Sequence, residues 1–513
     1  MLQDSFGRIH DYLRISLTDN CNFRCAYCMP VEEMEWMPQS KLMSKDEILK
    51  LAETFIGLGV KKIRLTGGEP LVRKEFPEIL ERLSAFPVEL TLTTNGVLQQ
   101  RSVTVIAFIN TGNSMASGAV TRTNVEESDI ESLLQQATSA AKSAGAAEDY
   151  APIAKDLSLG NWQAPHQPTG PEVFKKFAPD LGQMMSKSVT DAIELFGFAE
   201  HTHETVWVGS KGGLRLRSDK PIGRVEMTAK SHGRSRSTWF GVETHDFSDV
   251  SVANIDQDVR QRLDWQERKV ELPAGRYDTV FPSGAVADLY VYMMWMAGAR
   301  AAFEGQSVFS KKGGGTRVGE KLSNVGLQLF SDPKHAQLKG SEFVHAGAST
   351  PFTSVFDNGQ LQKRCDWIKD GVLQSLLQTR ASASLTSLAY TPLGDNLIMS
   401  VDGGTGSTMD LVKKVDHGLL VTTLWYIRMV DPNTLLLTGL TRDGVYYVKN
   451  GEVQGVTNNF RWNDSPVSAL SRIKAAGVTE WTQPREWAGD MSNMAVPALV
   501  IKDFNMSTVS PGS

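Results

Sequence analysis

The chain has 513 residues, 41% of them hydrophobic, and a formal net charge of −5. That length accommodates two to four domains with real cores, and so small a net charge excludes an electrostatic commitment to nucleic acid or to an acidic membrane surface. Four cysteines are too few for a disulfide framework. No apolar run reaches the roughly 18 residues of a transmembrane helix, and the opening MLQDSFGRIHDYLRISL lacks the basic-then-apolar order of a signal peptide, so a cytoplasmic protein is expected.

In chain order, Leu13–Leu17 (LRISL) reads as a strand and runs into TDNCNFRCAYCMP. There Cys21, Cys25 and Cys28 are spaced C-x3-C-x2-C on the following loop. Three thiolates can hold three irons of a [4Fe–4S] cluster and leave the fourth open to a small-molecule ligand. A zinc knuckle is the alternative, but structural zinc takes four ligands and no fourth Cys or His lies beside the trio. Ser44 and Glu47 read as a capping box. The helix they open, Ile48–Leu58, is expected to bury a stripe of Leu51, Phe55 and Leu58. The next strand, Lys61–Thr66, ends in Gly67-Gly68-Glu69-Pro70, and glycines at a strand end let a ligand approach the backbone. A helix over Pro77–Leu83 and a strand over Val88–Thr93 complete a βαβαβ run. Parallel sheets of this kind bind ligands at the carboxyl ends of their strands, where both the cysteines and GGEP fall.

The strings LRISLTDNCNFRCAYCMP, IRLTGGEPLVRKEF and TTNG make residues 1–98 resemble the start of the radical-SAM GTP 3′,8-cyclase family (MoaA) of molybdenum-cofactor biosynthesis. The resemblance implies Cys21, Cys25 and Cys28 as [4Fe–4S] ligands, Tyr27 and Gly68 as S-adenosylmethionine contacts, and Arg14, Arg64 and Thr93 as GTP contacts. Plain packing beside the cluster is the other reading of Tyr27, and a surface ion pair that of Arg14 and Arg64. That family continues into a partial (β/α)6 barrel and a second cysteine trio. Here only Cys365 remains downstream, a residue more often a buried small side chain than a ligand. GTP cyclisation needs the whole constellation held in place, so the segment is expected to be inactive as a cyclase.

From about residue 89 the texture changes. Arg101–Asn110 reads as a strand, Glu126–Ala144 as an amphipathic helix, Thr205–Arg217 and Ile222–Thr228 as strands, and Ala285–Phe303 as a helix. The last two hundred residues are strand-rich, with turns at DGGTGS, VKNGEV and NNFRWNDSP. The stretch Ala151–Gly170, with prolines and little periodicity, reads as a linker. His201-Thr202-His203-Glu204 is the local histidine cluster, in a strand-turn context. HExxH fails at Trp207 and H-E-x-x-x-H at Val208, so surface or packing roles stand against metal binding. Gly313–Gly315 after Lys311 and Lys312 lacks G-x4-G-K-[ST] and reads as a solvated turn.

The strings TLTTNGVLQQRSVTVIAF, THETVWVGSKGGLRLRSD, AVADLYVYMMWMAGARAAFEGQSVFS, FRWNDSPVSAL and GDMSNMAVPALVIKDFNMSTVS make residues 89–513 resemble the TldD/PmbA family, in its PmbA (TldE) branch. In that family TldD is a metalloprotease with a zinc-binding H-E-x-x-x-H helix. It assembles with its PmbA partner to degrade or trim peptides in a closed chamber. The corresponding helix here, Ala285–Phe303, contains no histidine, and Ala285, Asp288 and Tyr290 cannot replace a zinc trio. The resemblance therefore implies a subunit without its own zinc, a TldD-like partner and a peptide substrate.

The two resemblances overlap at Thr91–Val97. The expected architecture is multidomain: an N-terminal α/β segment, a truncated radical-SAM partial barrel, over 1–98, then an α+β, strand-rich TldD/PmbA-like body with regions 99–250 and 251–513. Three functions follow as expectations: a PmbA-like, metalloprotease-related subunit with a foreign N-terminus; a radical-SAM enzyme that retains its cluster, S-adenosylmethionine and GTP as a residual ligand; or a recombination or assembly product without integrated function.

Overall fold

A computed structural model describes residues 9–21, 36–94, 100–488 and 493–510. The chain forms two compact units, Met1–Val103 with Arg122–Glu126, and Thr104–Thr121 with Glu127–Ser513. No helix among the described residues is long and apolar enough to cross a membrane.

In the first unit, β1 (Tyr12–Ser16), α1 (Lys45–Gly57), β2 (Lys62–Thr66), α2 (Phe76–Ser84) and β3 (Glu89–Leu92) alternate. The strands form a parallel sheet in the order β1-β2-β3, with Ile15 beside Leu65 and Ile63 beside Leu90. The capping box forms: Ser44 accepts from Glu47 N while Glu47 accepts from Ser44 N at 2.7 Å. The buried stripe of α1 differs from the expected one. It consists of Ile48, Leu49 and Ala52, while Leu58, the cap residue, is exposed. The helix starts three residues earlier than read, and its small Ala52 lets the helix lie close on Ile63 and Ile79 of the core.

The second unit opens with a hairpin, β4 (Ser102–Asn110) and β5 (Met115–Thr123), against which α3 (Ile130–Ala144) lies. A Cβ at Gly118 of β5 would fall 2.2 Å from Ala141 N and 2.4 Å from Ala137 O, so helix and strand backbones touch here and only glycine fits. A short strand β6 (Ser158–Leu159), helix α4 (Phe177–Thr190), strands β7 (Glu194–Gly209), β8 (Arg215–Ser231) and β9 (Arg236–Thr244), and helix α5 (Val252–Asp264) follow. These strands form a sheet in which β8 pairs with β6, β7 and β9. The strand expected over Thr205–Arg217 is in fact interrupted by a turn. Its residues alternate in polarity on both sides of Ser210–Leu214, where Gly213 has φ +90°.

The stretch Ala151–Gly170 is not a linker. It lies within the second unit, with β6 paired to β8. Arg217 of β8, 6% exposed, holds it down by donating to Asn161 O at 3.2 Å, to Pro165 O at 2.9 Å and to Ala164 O.

The rest of the unit is one large mixed sheet curled around α6 (Ser283–Trp295). Every α6 residue from Ala285 to Met294 is buried. The strand Met494–Val509 ties this sheet together, pairing with Gly275–Phe281, Leu397–Val401, Phe460–Asp464 and Ile473–Thr482. The helix expected over Ala285–Phe303 breaks after Trp295 and resumes as Ala299–Phe303. At the break Leu377 N donates to Ala297 O and Ala299 N to Leu377 O, a long-range strand-like exchange that competes with the helical ladder. The expected turn at VKNGEV is a tight hairpin, with Asn450 at φ 52° and Gly451 at φ 78°.

Replacing Arg217 with Ala removes the donor for three carbonyls and the ion pair to Asp219. The expected loss is about 3 kcal/mol. Chymotryptic cleavage after Trp162, followed by mass spectrometry, should accelerate in Arg217→Ala while the rest of the body stays resistant.

Candidate functional sites

In the first unit the carboxyl ends of the strands converge. Leu17 N donates to Thr66 O, Gly68 N to Thr18 O at 2.6 Å, Glu69 N to Asn20 O at 2.8 Å and Thr93 N to Leu65 O. Cys21 directly follows this zipper. Its companions Cys25 and Cys28, and Tyr27, lie outside the described residues. A Cβ at Gly68 would sit 2.3 Å from Asp19 O and 2.4 Å from Asn20 O, and one at Gly67 2.3 Å from Thr18 O. The glycine pair is thus what allows Thr18, Asp19 and Asn20 to lie against the end of β2. Glu69, which the sequence reading passed over, is fully buried. It accepts from Leu71 N at 2.9 Å and from Thr94 Oγ1 at 2.7 Å, joining the ends of β2 and β3. A lone acid between two glycines and a proline was the available signal. Arg73 reaches back to Leu17 O at 2.7 Å and Met43 O at 2.6 Å.

Arg14 and Arg64 are direct neighbours in the β1–β2 register, and Arg64 is level with Thr91 on β3. Both guanidinium groups lie over the Tyr12 ring, 5.6 Å from its centre. Arg14 Nε donates to Tyr12 Oη, and Arg64 Nε to Thr91 Oγ1 at 3.3 Å. Among the described residues no carboxylate pairs with either arginine, in contrast to Lys62, which is bound to Glu89 at 2.6 Å on the same face. Two cations are thus held side by side by an aromatic ring and a hydroxyl. Thr93, exposed, stands at the strand end above them.

In the second unit α6 carries one carboxylate, Asp288, fully buried. Its Oδ1 accepts from Glu486 N at 3.0 Å and its Oδ2 has no partner. Burial pushes its pKa well above the usual carboxylate range, against the backbone N–H of Glu486 that favours the charged form. The segment from Thr482 to Trp487 runs along this helix. Ser283 donates to Thr482 at 3.2 Å, and the Trp487 ring packs at 5.5 Å from Tyr292 and 4.7 Å from Trp295. Arg485 is bound to Asp443 at 2.7 Å and lies between the Trp239 and Trp425 rings. Among the described residues no group of three His, Cys, Asp or Glu is placed to hold a metal. Zinc does not fit α6: its surroundings are apolar, its one acid is enclosed and accepts from the Glu486 backbone, and its sequence has no imidazole.

The remaining motifs have structural explanations. His201 and His203 stand in the middle of β7 rather than beside a turn. Both ring nitrogens of His201 are engaged, with Thr169 Oγ1 and His245 O. His203 Nε2 is buried without a hydrogen bond, 3.8 Å from Asp219 Oδ1, and burial lowers its pKa. Gly313, Gly314 and Gly315 all have positive φ in a turn closed by Lys311 N to Gly315 O. Cys365 begins a strand, and burial pushes its thiol up to about 12, the behaviour of a packed side chain.

Residues 15–108 match the family model of the radical SAM superfamily, and residues 274–508 match that of the PmbA/TldA metallopeptidase C-terminal domain. The chain is 50% identical over 99 residues to GTP 3′,8-cyclase of Listeria welshimeri, a stretch that is 19% of this chain and 30% of that protein. It is 53% identical over 102 residues to molybdenum cofactor biosynthesis protein 1 of Drosophila melanogaster, 20% of this chain and 18% of that protein. The chain thus spans less than a third of the length of these curated relatives. Among solved structures, TldE from Thermococcus kodakarensis superposes with a TM-score of 0.60 at 16% identity, over 79% of this chain and 95% of that one. A Thermotoga maritima structure gives 0.58 at 14% identity, over 79% and 94%. These likenesses show the fold. The chain is two-part, a radical-SAM segment followed by a strand-rich body of TldD/PmbA type.

Within that body Glu243 of β9 is buried and accepts from Asn493 N at 2.8 Å and Trp481 Nε1 at 3.2 Å. Burial outweighs both bonds and raises its pKa to about 7. In the unfolded chain the same acid ionises near 4.5. The native state therefore holds the extra proton between these values, and stability falls as pH rises from 4.5 through 7. The full difference is on the order of 3 kcal/mol. Urea unfolding followed by tryptophan fluorescence at pH 5 and pH 8 should show this loss in the native chain and a flatter profile in Glu243→Gln.

Proposed function

We propose that this chain acts as the non-metal subunit of a TldD/PmbA-type peptide-processing assembly, with the zinc supplied by a TldD-like partner. The observation that carries this reading is α6. The PmbA/TldA model covers the helix, yet its only acid is buried and bonded to the Glu486 backbone, and it has no histidine. Such a helix supports a body that shapes a peptide chamber rather than one that activates water. The TldE-like fold supports the same assignment.

For the N-terminal segment we propose retained cofactor binding without cyclase activity. Cys21, Cys25 and Cys28 would hold a [4Fe–4S] cluster, which when bound supplies the electron that cleaves S-adenosylmethionine. The donor set fits: three thiols fall within eight residues, and the first directly follows Asp19 and Asn20, which lie against Gly68. Tyr27 and Gly68 would line the S-adenosylmethionine position, and Arg14, Arg64 and Thr93 would hold the anionic part of GTP as a residual ligand. The match to the cyclases stops after about a third of their length, and no second cysteine trio follows. That abrupt stop also favours a second reading, a recombination or assembly join, which sequencing the source DNA across codons 85–105 tests directly.

Two measurements test the main reading. Peptide cleavage is expected only when the purified chain is mixed with a TldD-like zinc subunit, with zinc well below one equivalent in the chain alone; cleavage by the chain by itself contradicts it. After anaerobic reconstitution the native chain is expected to bind close to four irons. Gly68→Ala, whose methyl group would collide with the backbone of Asp19 and Asn20 just before Cys21, should lose most of them, while Cys365→Ser should keep them.

A further inference from the structure

Strand β7 is an edge. Its strand partner among the described residues is β8, and the pairing runs without a bulge from Glu194 opposite Lys230 to Gly209 opposite Arg215. At the turn Ser210 N donates to Leu214 O, while Arg215 N turns away from β7 to Leu157 O. In an antiparallel ladder this alternation fixes the rest. Even-numbered residues of β7 exchange hydrogen bonds with β8, and odd-numbered ones, from Leu195 to Trp207, direct their N–H and C=O groups off the sheet.

Such a row is a template for another strand, and native edges are commonly blunted by proline, lysine, a bulge or shortness. β7 has 16 residues, no proline, no lysine and no bulge, and the charges it carries are Glu194, Glu200 and Glu204. Instead it presents Phe196 at 45%, Phe198 at 46% and Trp207 at 41% exposure. Beside its first residues an apolar groove of about 630 Å³ opens, lined by Met185, Val189, Ile193, Leu195 and Phe196.

We infer that β7 is a dimerisation strand, pairing antiparallel with β7 of a second copy of this chain about a twofold axis at His201. Closed twofold pairing is the commonest way a chain satisfies an edge with itself, and the sequence of β7 is complementary to itself in this register. Axes at Glu200, Thr202 or Glu204 would set acid against acid: Glu200 on itself, Glu200 on Glu204, or Glu204 on itself. The axis at His201 sets Glu194 opposite Val208, Glu200 opposite Thr202, Phe196 opposite Val206 and Phe198 opposite Glu204. It also sets Leu195 opposite Trp207, which brings each exposed indole to the mouth of the other copy's groove. An axis at His203 avoids facing acids too, but it carries Leu195 and Phe196 beyond the end of the partner strand and leaves the groove uncovered. The inference is independent of the peptide-processing reading, since it rests on the edge alone.

Sedimentation equilibrium of the full chain is expected to show a dimer. Phe196→Lys disturbs two symmetry-related cross-strand pairs and should weaken it roughly tenfold. Phe196→Lys combined with Val206→Glu sets lysine opposite glutamate and should restore it, which also shows that the first variant folds. Trp207→Gln, at the exposed indole, should weaken the dimer as well. A monomeric native chain overturns the inference, as does a dimer indifferent to Phe196→Lys and Trp207→Gln, or one that the paired substitution fails to restore.

Discussion

A helix that is apolar on every side must be buried on every side, and α6 sets this condition for the second unit. From Ala285 to Met294 it offers no surface to water. The strands that follow close a sheet around it, with Phe281, Leu419, Leu437, Leu499 and Phe504 in the same core. The strand Met494–Val509 completes that enclosure. Residues separated by more than two hundred positions in sequence are brought into register on it, as in Tyr277 opposite Phe504. One carboxylate inside such a shell has no water to stabilise its charge, so the pKa of Asp288 is pushed up, and the backbone N–H of Glu486 uses it as an acceptor. The same enclosure leaves α6 unable to present ligands to a metal.

In the first unit the corresponding constraint is distance between backbones. The end of β2 and the chain leaving β1 approach so closely that Gly67 and Gly68 admit no side chain. That approach positions Cys21 at the carboxyl edge of the sheet, and Glu69 closes the same edge by bonding to Leu71 and Thr94. The glycines therefore act on the cysteine loop itself. The contact of Gly68 with a cofactor, implied by resemblance, and its contact with Asp19 and Asn20, seen here, are compatible demands on one position.

What was legible in the sequence was local. The capping box at Ser44 and Glu47, the βαβαβ order and the hairpin at Asn450-Gly451 each depend on residues a few positions apart. What was misread depended on distant partners. The break after Trp295 is made by Leu377, and the packing of Ala151–Gly170 by Arg217. Proline content marks a segment as irregular but carries no information about whether it is anchored. The turn at Ser210–Leu214 was hidden because polarity alternates on both sides of it. Of the candidate site, Arg14 and Arg64 were recognisable as a pair only through resemblance. Their juxtaposition is a matter of register between strands that an intervening helix separates in sequence.

That register also accounts for how a small parallel sheet survives with helices on one face among the described residues. Sheets of this kind are ordinarily covered on both faces, and their strands then read as continuous hydrophobic runs. Here YLRIS and KIRLT alternate. Ile15, Ile63 and Leu65 point into the helical layer, while Tyr12, Arg14, Arg64 and Thr91 occupy the other face. Solvation of a polar face replaces the second helical layer at no hydrophobic cost. An alternating pattern in a parallel strand is therefore a statement about the uncovered side. On this sheet that face carries Tyr12, Arg14, Arg64 and Thr91, held together by ring stacking and a hydroxyl contact.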